Sequence, residues 1–262
     1  MADAGGAEMR RLFVEPESIG EGLIYIKDKE RISYLSAVLR LKAGDDIFVS
    51  DGVGKAYEAR IMEIEKTVIT LRIMTEQTFV ESYNTRITLY QGLPKSAKMD
   101  EIVRKATELG VYRVVPVETA RSVPGAEDGA SVKLERWRRI AMEAARQSCR
   151  IGVPEVKAAM KFQEAAAGLK DEGYDLVLAL FELEEALTLK HALQEKLRRA
   201  KYNVSWFPNI AIFIGPEGGF EQSEIDCLIR EGAESVTIGE TILRTETAGP
   251  AAIAMVIYEC EL

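Results

Sequence analysis

Two glycine-rich stretches near the C-terminus constrain the fold of this chain more than any other feature. They are Phe213-Ile214-Gly215-Pro216-Glu217-Gly218-Gly219-Phe220 and Ile238-Gly239-Glu240-Thr241-Ile242-Leu243-Arg244-Thr245-Glu246-Thr247-Ala248. Each is fed by an apolar β-type run and opens into a helical pattern. Glycine takes φ > 0 freely and lets backbone pass close to a flat ligand, so two successive strand-end turns can hold one small molecule between them. The ligand expected there is a nucleotide-like cofactor; the alternative is a pair of tight helix-capping turns. Neither turn carries the Gly-Lys-Ser/Thr ending of a phosphate-gripping loop, and neither reads as Gly-x-Gly-x-x-Gly after the first strand of a βαβ unit. Phosphate-driven binding of ATP, GTP or NAD is therefore disfavoured.

The rhythm around these turns sets the fold class. Apolar runs at Ile87 to Gln91, Arg113 to Val117, near Val156, Leu176 to Phe181, Ile210 to Ile214 and Ser235 to Ile238 read as strands. Between and after them, helical patterns cover Ala97 to Leu109, Lys133 to Arg150, a segment after Phe162, Leu189 to Arg199, Gln222 to Glu231 and Thr247 to Tyr258. This alternation predicts an α/β domain with a mostly parallel sheet and helices on both faces. Ligands in such domains bind outside the carboxyl ends of the strands, where Leu180-Phe181, Gly215 to Gly219 and Ile238 to Thr245 fall.

The front of the chain is different. Leu12 to about Thr78 is a series of short β-type runs separated by turns such as Asp51-Gly52-Val53-Gly54, with a single helical pattern from Lys29 to Leu41 carried by Ile32, Leu35, Val38 and Leu39. A small barrel-like module is expected over residues 1–78 and the α/β domain over 79–262, with the boundary in the polar stretch Phe79 to Thr85.

Three cysteines, 149, 227 and 260, lack metal-ligand spacing, and one histidine, His191, cannot build a zinc site. No metal is expected, and the cysteines are read as free thiols. No apolar run is long enough to span a bilayer, and Met1 to Glu8 lacks the regions of a signal peptide, so a cytoplasmic protein without a membrane partner is expected. The formal charge of −8 looks wrong for a nucleic-acid partner. Charge is segregated, however: Arg31, Arg40 and Lys42; Lys95, Lys98, Arg104 and Lys105; Lys133, Arg136, Arg138, Arg139, Arg146 and Arg150; and Lys196 to Lys201 form basic clusters. By themselves such clusters are more often only solvated helix faces than nucleic-acid contacts.

The ordered series of motifs resembles the RsmE family, the 16S ribosomal RNA uracil-N3 methyltransferases of the SPOUT class. The resemblance is carried by Gly-Pro-Glu-Gly-Gly-Phe at 215–220 and Ile-Leu-Arg-Thr-Glu-Thr-Ala at 242–248. Upstream it is carried by Gln91-Gly92-Leu93-Pro94-Lys95, Lys98-Met99-Asp100, Lys105 to Val111, Glu118 to Ser122, and Glu143 to Arg150 before Val153-Pro154. It runs from about Arg10 to the C-terminus. It implies a PUA-like RNA-binding β-barrel in front and a SPOUT methyltransferase domain behind, whose strand-end loops form a deep trefoil knot around bent S-adenosylmethionine. It also implies a homodimer with the active site between subunits, acting on 16S ribosomal RNA within the small ribosomal subunit. The family's His pair at the start of the front helix is replaced here by Ser33-Tyr34.

For the cofactor the resemblance points to Leu180, Phe181, Gly215, Gly218, Gly219, Ile238, Leu243, Arg244 and Thr245. For RNA it points to Arg11, Arg40, Lys42, Lys95, Lys98 and Arg121. Methyl transfer from a sulfonium needs a nucleophile held in line with the departing sulfur, and uracil N3 is a poor one while protonated. An enzyme must take that proton or stabilise an anion spread onto O2 and O4. Arg150 is the expected catalytic group because its guanidinium fork can face an imide edge, with Gln147 three residues away on the same edge. Glu246 could serve as the base beside the cofactor loop but reads more readily as a helix-start carboxylate, and Arg244 either meets a cofactor carboxylate or RNA phosphate or pairs with Glu217 or Glu246. No convincing general base stands out. The rivals are a non-catalytic RNA-binding or ribosome-assembly protein, and methylation of a different base on the same scaffold.

Overall fold

The structure is a computed structural model that describes residues 11–52, 55–78, 85–95, 97–122, 130–148, 150, 152–200 and 208–261. The expected boundary at residues 79–84, Cys149, and the N-terminal Met1 to Glu8 lie outside the described residues. The chain divides into two compact units, Met1–Glu81 with Ser148–Val153, and Ser82–Gln147 with Pro154–Leu262.

In the first unit, β1 (Arg11–Phe13), β2 (Ile19–Gly20), β3 (Leu23–Ile26), β4 (Asp46–Ser50), β5 (Lys55–Ile64) and β6 (Ile69–Thr78) form one sheet in the order β1-β4-β5-β6-β3-β2. All pairings are antiparallel except β1 with β4. Side chains alternate across a strand, so in β5 Ala59 and Ile61 face the core while Arg60 and Met62 face out. The β5–β6 register shifts twice, between Glu58 and Ala59 and between Ile61 and Glu63. Such irregularities sharpen the twist, and the sheet curls around Leu12, Ile24, Ile47, Val49, Ile61 and Leu71.

Only the first part of the expected helix from Lys29 to Leu41 is α-helical. Helix α1 (Lys29–Ser33) is capped by Asp28, which accepts from the Arg31 N–H at 2.8 Å, and the chain then widens into a π turn over Tyr34–Val38. The wider turn buries Leu35 and leaves Val38 65% exposed, and Arg40 follows in the left-handed region at φ 53°. The 3.6-residue pattern read from Val38 is thus not the one the backbone uses.

The second unit holds β7 (Arg86–Gly92), α2 (Lys98–Glu108), β8 (Arg113–Glu118), α3 (Ala130–Gln147), β9 (Glu155–Val156), β10 (Met160–Lys161) and α4 (Phe162–Ala167). It continues with β11 (Leu176–Leu180), α5 (Leu189–Ala200), β12 (Asn209–Ile214), α6 (Gln222–Arg230), β13 (Glu234–Val236) and α7 (Thr245–Glu261). The sheet runs β10-β8-β7-β12-β11-β13, with β9 also on β8, and every pairing is parallel. One face carries Tyr90, Val115, Val117, Ala179 and Phe213 against Phe162 and Leu169 and against Ile225 and Leu228 of α6. Tyr90 and Phe213 stack at 4.4 Å across neighbouring strands. Helix α7 packs on α2 and α5 and against β7 and β12. Strand β12 is inserted between β7 and β11, so the C-terminal ends of β7, β12, β11 and β13 lie side by side. The loops that leave those ends build the site.

Candidate functional site

The first glycine turn is shaped by its own backbone. The Gly219 N–H donates to the Pro216 carbonyl at 2.9 Å, and Gly219 sits at φ +68°. A Cβ on Gly215 would lie 2.8 Å from the Gly219 carbonyl carbon, and one on Gly92 would lie 2.7 Å from Pro216. Two strand ends and the turn therefore meet backbone to backbone, which no larger residue permits. At Gly218 the missing side chain makes room for Arg121, whose Nη1 donates to the Gly218 carbonyl at 2.6 Å. These glycines, expected to serve the ligand, serve the turn first. Downstream, the buried Glu224 carboxylate accepts from the backbone N–H groups of Glu221 and Ala120, both at 2.9 Å, tying the start of α6 to the loop after β8.

A buried polar clip joins the two glycine turns. Gln91, fully buried at the end of β7, donates through Nε2 to Thr245 Oγ1 at 2.9 Å and to the Gly92 carbonyl at 3.0 Å. A longer contact of 3.4 Å reaches the Gly215 carbonyl. Thr245 Oγ1 in turn donates to Gly215 at 2.7 Å. The first residue of α7 is thereby fixed to the end of β12. Gln91 Oε1 is buried with no hydrogen-bond partner and faces Gly249, where a Cβ would sit 3.3 Å from it.

Lys98, the first residue of α2, binds the two turns electrostatically. Its Nζ lies 3.1 Å from Glu217 Oε1 and 3.2 Å from Glu246 Oε2. Burial pushes the Glu217 carboxyl up, but the backbone N–H groups of Glu217 and Lys95 and the Lys98 ammonium outweigh it and hold the group below its ordinary value. Glu246 is also held low, first by its own backbone N–H, against burial, and then by Lys98. The two carboxylates raise the Lys98 ammonium in return. Of the options open for Glu217 and Glu246, pairing falls to Lys98; Arg244 acts on Glu246 only as a weaker neighbouring charge.

Between these loops lies a cavity of about 530 Å³, within the range of small-molecule sites. Its walls include Leu180, Phe181, Gly215, Gly218, Gly219, Ile238, Leu243, Arg244 and Thr245, together with Lys98, Glu182, Glu217 and Glu240. The apolar faces of Phe181 and Leu243 with the bare backbone of the glycine turn suit a flat ring, and the carboxylates suit a cationic ligand. Sequence reasoning overlooked Glu182, which directly follows Leu180-Phe181 at the strand end.

The other expected residues scatter. Arg40 and Lys42 are exposed in the first unit; Arg11 opens β1, and its side chain lies outside the described residues. Lys95 is exposed, and its backbone N–H donates to Glu217. Lys98 and Arg121, expected at RNA, have their charged ends engaged on the first glycine turn. Gln147 is the exposed last residue of α3, and Arg150 is half-buried in the segment Ser148–Val153 that groups with the first unit. In the basic run on α3, Arg136 pairs with Asp100 of α2. His191 is exposed on α5. Among the described residues no group of three or more His, Cys, Asp or Glu side chains could hold a metal, and no helix is long and apolar enough to cross a membrane.

A parallel α/β unit with a ligand cavity at its strand ends, in one chain with a curled β unit, has the anatomy of an RNA methyltransferase with its accessory module. The model of the RNA methyltransferase domain matches residues 81–257, and that of the RNA methyltransferase PUA domain matches residues 26–74. The ribosomal RNA small subunit methyltransferase E of Bacillus subtilis is 29% identical over 97% of this chain and 98% of its own. That of Synechocystis is 32% identical over 94% of this chain and 76% of its own. The crystal structure of the Neisseria gonorrhoeae enzyme of the same name, bound to S-adenosyl methionine, superposes with a TM-score of 0.76 at 29% identity, covering 96% of this chain and 98% of that one. The chain belongs to the ribosomal RNA small subunit methyltransferase E family, and its two units are the PUA and SPOUT-class folds expected from the motifs.

Proposed function

We propose that the cavity between the strand-end loops holds S-adenosylmethionine and that the protein methylates uracil N3 in 16S ribosomal RNA, in the cytoplasm and within the small ribosomal subunit. The observation that carries this reading is the cavity itself. Its size, its glycine-lined backbone wall and its excess of carboxylates suit an adenosine-bearing sulfonium, and the Neisseria gonorrhoeae relative was crystallised with that compound. Bound there, the cofactor supplies an electrophilic methyl group.

The protein's own residues have two tasks. Lys98, Gln91 and Thr245 hold the two glycine turns at a fixed separation, so the binding site is built before the ligand arrives and ordering it costs little. Arg150, assisted by Gln147, stabilises the uracil anion left when the N3 proton passes to solvent water; a guanidinium offers two parallel donors to an imide edge. With the anion so held, N3 would be the nucleophile for the methyl group that bound S-adenosylmethionine would supply, the cofactor leaving as a neutral thioether. We assign RNA contact to Arg11, Arg40 and Lys42 in the front unit and to Lys95, with Lys98 held in the cavity wall and Arg121 on the Gly218 carbonyl. The resemblance further supports a trefoil knot through the cavity loops and a homodimer, and the exposed Met255 and Tyr258 on α7 offer apolar surface for a second copy.

A protein that only bound RNA would need no such cavity, so the catalytic reading is preferred. Mass mapping of 16S ribosomal RNA from cells with and without this protein tests it. A single uridine that loses one methyl group at N3 in the deletion supports the reading; an unchanged methylation map overturns it.

A further inference from the structure

The charges around the cavity are not balanced. Lys98 is spent on Glu217 and Glu246, and Arg244 acts as a weaker neighbouring charge on Glu246. Glu182 and Glu240 are left over: both line the cavity, and among the described residues neither carboxylate has a hydrogen-bond or ion-pair partner. Of the two, Glu182 is the one that closes on the glycine turn. It stands on the loop after β11 and reaches across to the loop after β12, where a side chain on Gly219 would overlap it. A glycine at φ +68° therefore both shapes the turn and leaves room for an unpaired anion in the cavity wall.

We propose that Glu182 is a specificity-determining residue that favours the methyl-bearing cofactor over its demethylated product. This rests on the reading of the cavity as the S-adenosylmethionine site. The two compounds share the adenosine and the amino-acid end and differ at sulfur, which is a cationic sulfonium before transfer and a neutral thioether after it. A group that read the ribose or the ammonium would bind both alike. A free carboxylate that acts on the sulfonium charge distinguishes them, and its attraction vanishes at the moment of transfer, which hastens release of the product. An opposite charge within about 4–6 Å favours a charged form by roughly 10- to 1000-fold over a neutral one. Because Glu182 is solvent-exposed, the low end of that range, about tenfold, is expected.

Titration calorimetry of S-adenosylmethionine and S-adenosylhomocysteine into the full-length wild type and Glu182→Gln is the test. The amide keeps shape and hydrogen-bonding reach but removes the charge. The expected result is about tenfold weaker S-adenosylmethionine binding with S-adenosylhomocysteine affinity unchanged within about twofold, and a wild-type preference that shrinks as salt is raised. Equal weakening of both ligands, or no change in either, overturns the proposal while leaving the cofactor site intact. Failure of the wild type to bind either ligand overturns the cofactor reading and the proposal together.

Discussion

Replacing Gln91 by leucine removes the clip between the two glycine turns without changing side-chain volume greatly. Two hydrogen bonds of good length are lost, to Thr245 Oγ1 and to the Gly92 carbonyl, and each contributes about 1 kcal/mol net. A carbonyl left without that donor in a fully buried site costs about 1–2 kcal/mol more. Against this, leucine eliminates the orphaned Oε1, a relief of about 1 kcal/mol. The balance is a loss of about 2–3 kcal/mol, roughly a 30- to 150-fold shift toward the unfolded state. Urea unfolding followed by circular dichroism reads it as a lower midpoint at constant slope. The damage should extend to the cavity, with S-adenosylmethionine affinity falling because Thr245 and Gly215 are no longer fixed together. Gln91→Glu should be worse near neutral pH, since a carboxylate would face two carbonyl oxygens, and should improve on acidification, when the introduced carboxyl can donate. A Gln91→Leu protein of wild-type stability and affinity would refute the idea that this amide organises the site.

Gly219→Ala should cost about 1–2 kcal/mol from the left-handed backbone alone, plus the displacement of Glu182. In a Glu182→Ala background the second part should disappear, and a cost that is the same in both backgrounds removes the steric argument. Lys98→Met should lower the thermal midpoint at neutral pH. Glu217 and Glu246 have lowered values, so their contribution is present above the unfolded-state glutamate value of about 4.3 and lost as pH falls through their folded values. Lys98 is raised, so its contribution is present below the unfolded lysine value of about 10.4 and lost as pH climbs through its folded value. The gap between wild type and variant should therefore be flat between these limits and close on acidification; a gap unchanged at low pH would contradict the pairing. Replacing Arg40 and Lys42 by alanine should weaken RNA binding and reduce its salt slope by about 1 for each phosphate no longer neutralised, with cofactor affinity intact. Arg150→Ala should slow single-turnover methylation by about 100-fold at saturating RNA and cofactor, with partial rescue as pH rises; wild-type chemistry in that variant would exclude it as the anion stabiliser.

The parallel sheet was readable because each of its long strands is a run of apolar residues followed by a helical period, and the strand ends then located the cavity at Leu180, Gly215 and Ile238. What escaped were features that leave no period. Strands β2 and β10 have two residues each, too few to alternate. The π turn at Tyr34–Val38 shifts the core face so that Leu35 goes in and Val38 stays out, and composition has no signal for it. Within the site, Gln91 meets Thr245 across 154 positions of chain, a pairing that only the insertion of β12 beside β7 creates. Lys98 reads as one more exposed base until Glu217 and Glu246 are brought to it by the same arrangement. Glu182 was within reach of sequence reasoning: a carboxylate directly after an apolar strand, in a series of three ligand-facing loops, carries its own signal.

The most direct test incubates the purified protein with small ribosomal subunits from cells that lack it and S-adenosylmethionine labelled in the methyl group, followed by nucleoside analysis of the digested 16S RNA. The proposed function predicts label in N3-methyluridine alone, approaching one per RNA molecule. Label in another nucleoside, or none transferred although the cofactor binds, would contradict the assignment of this cavity to uracil N3 methylation.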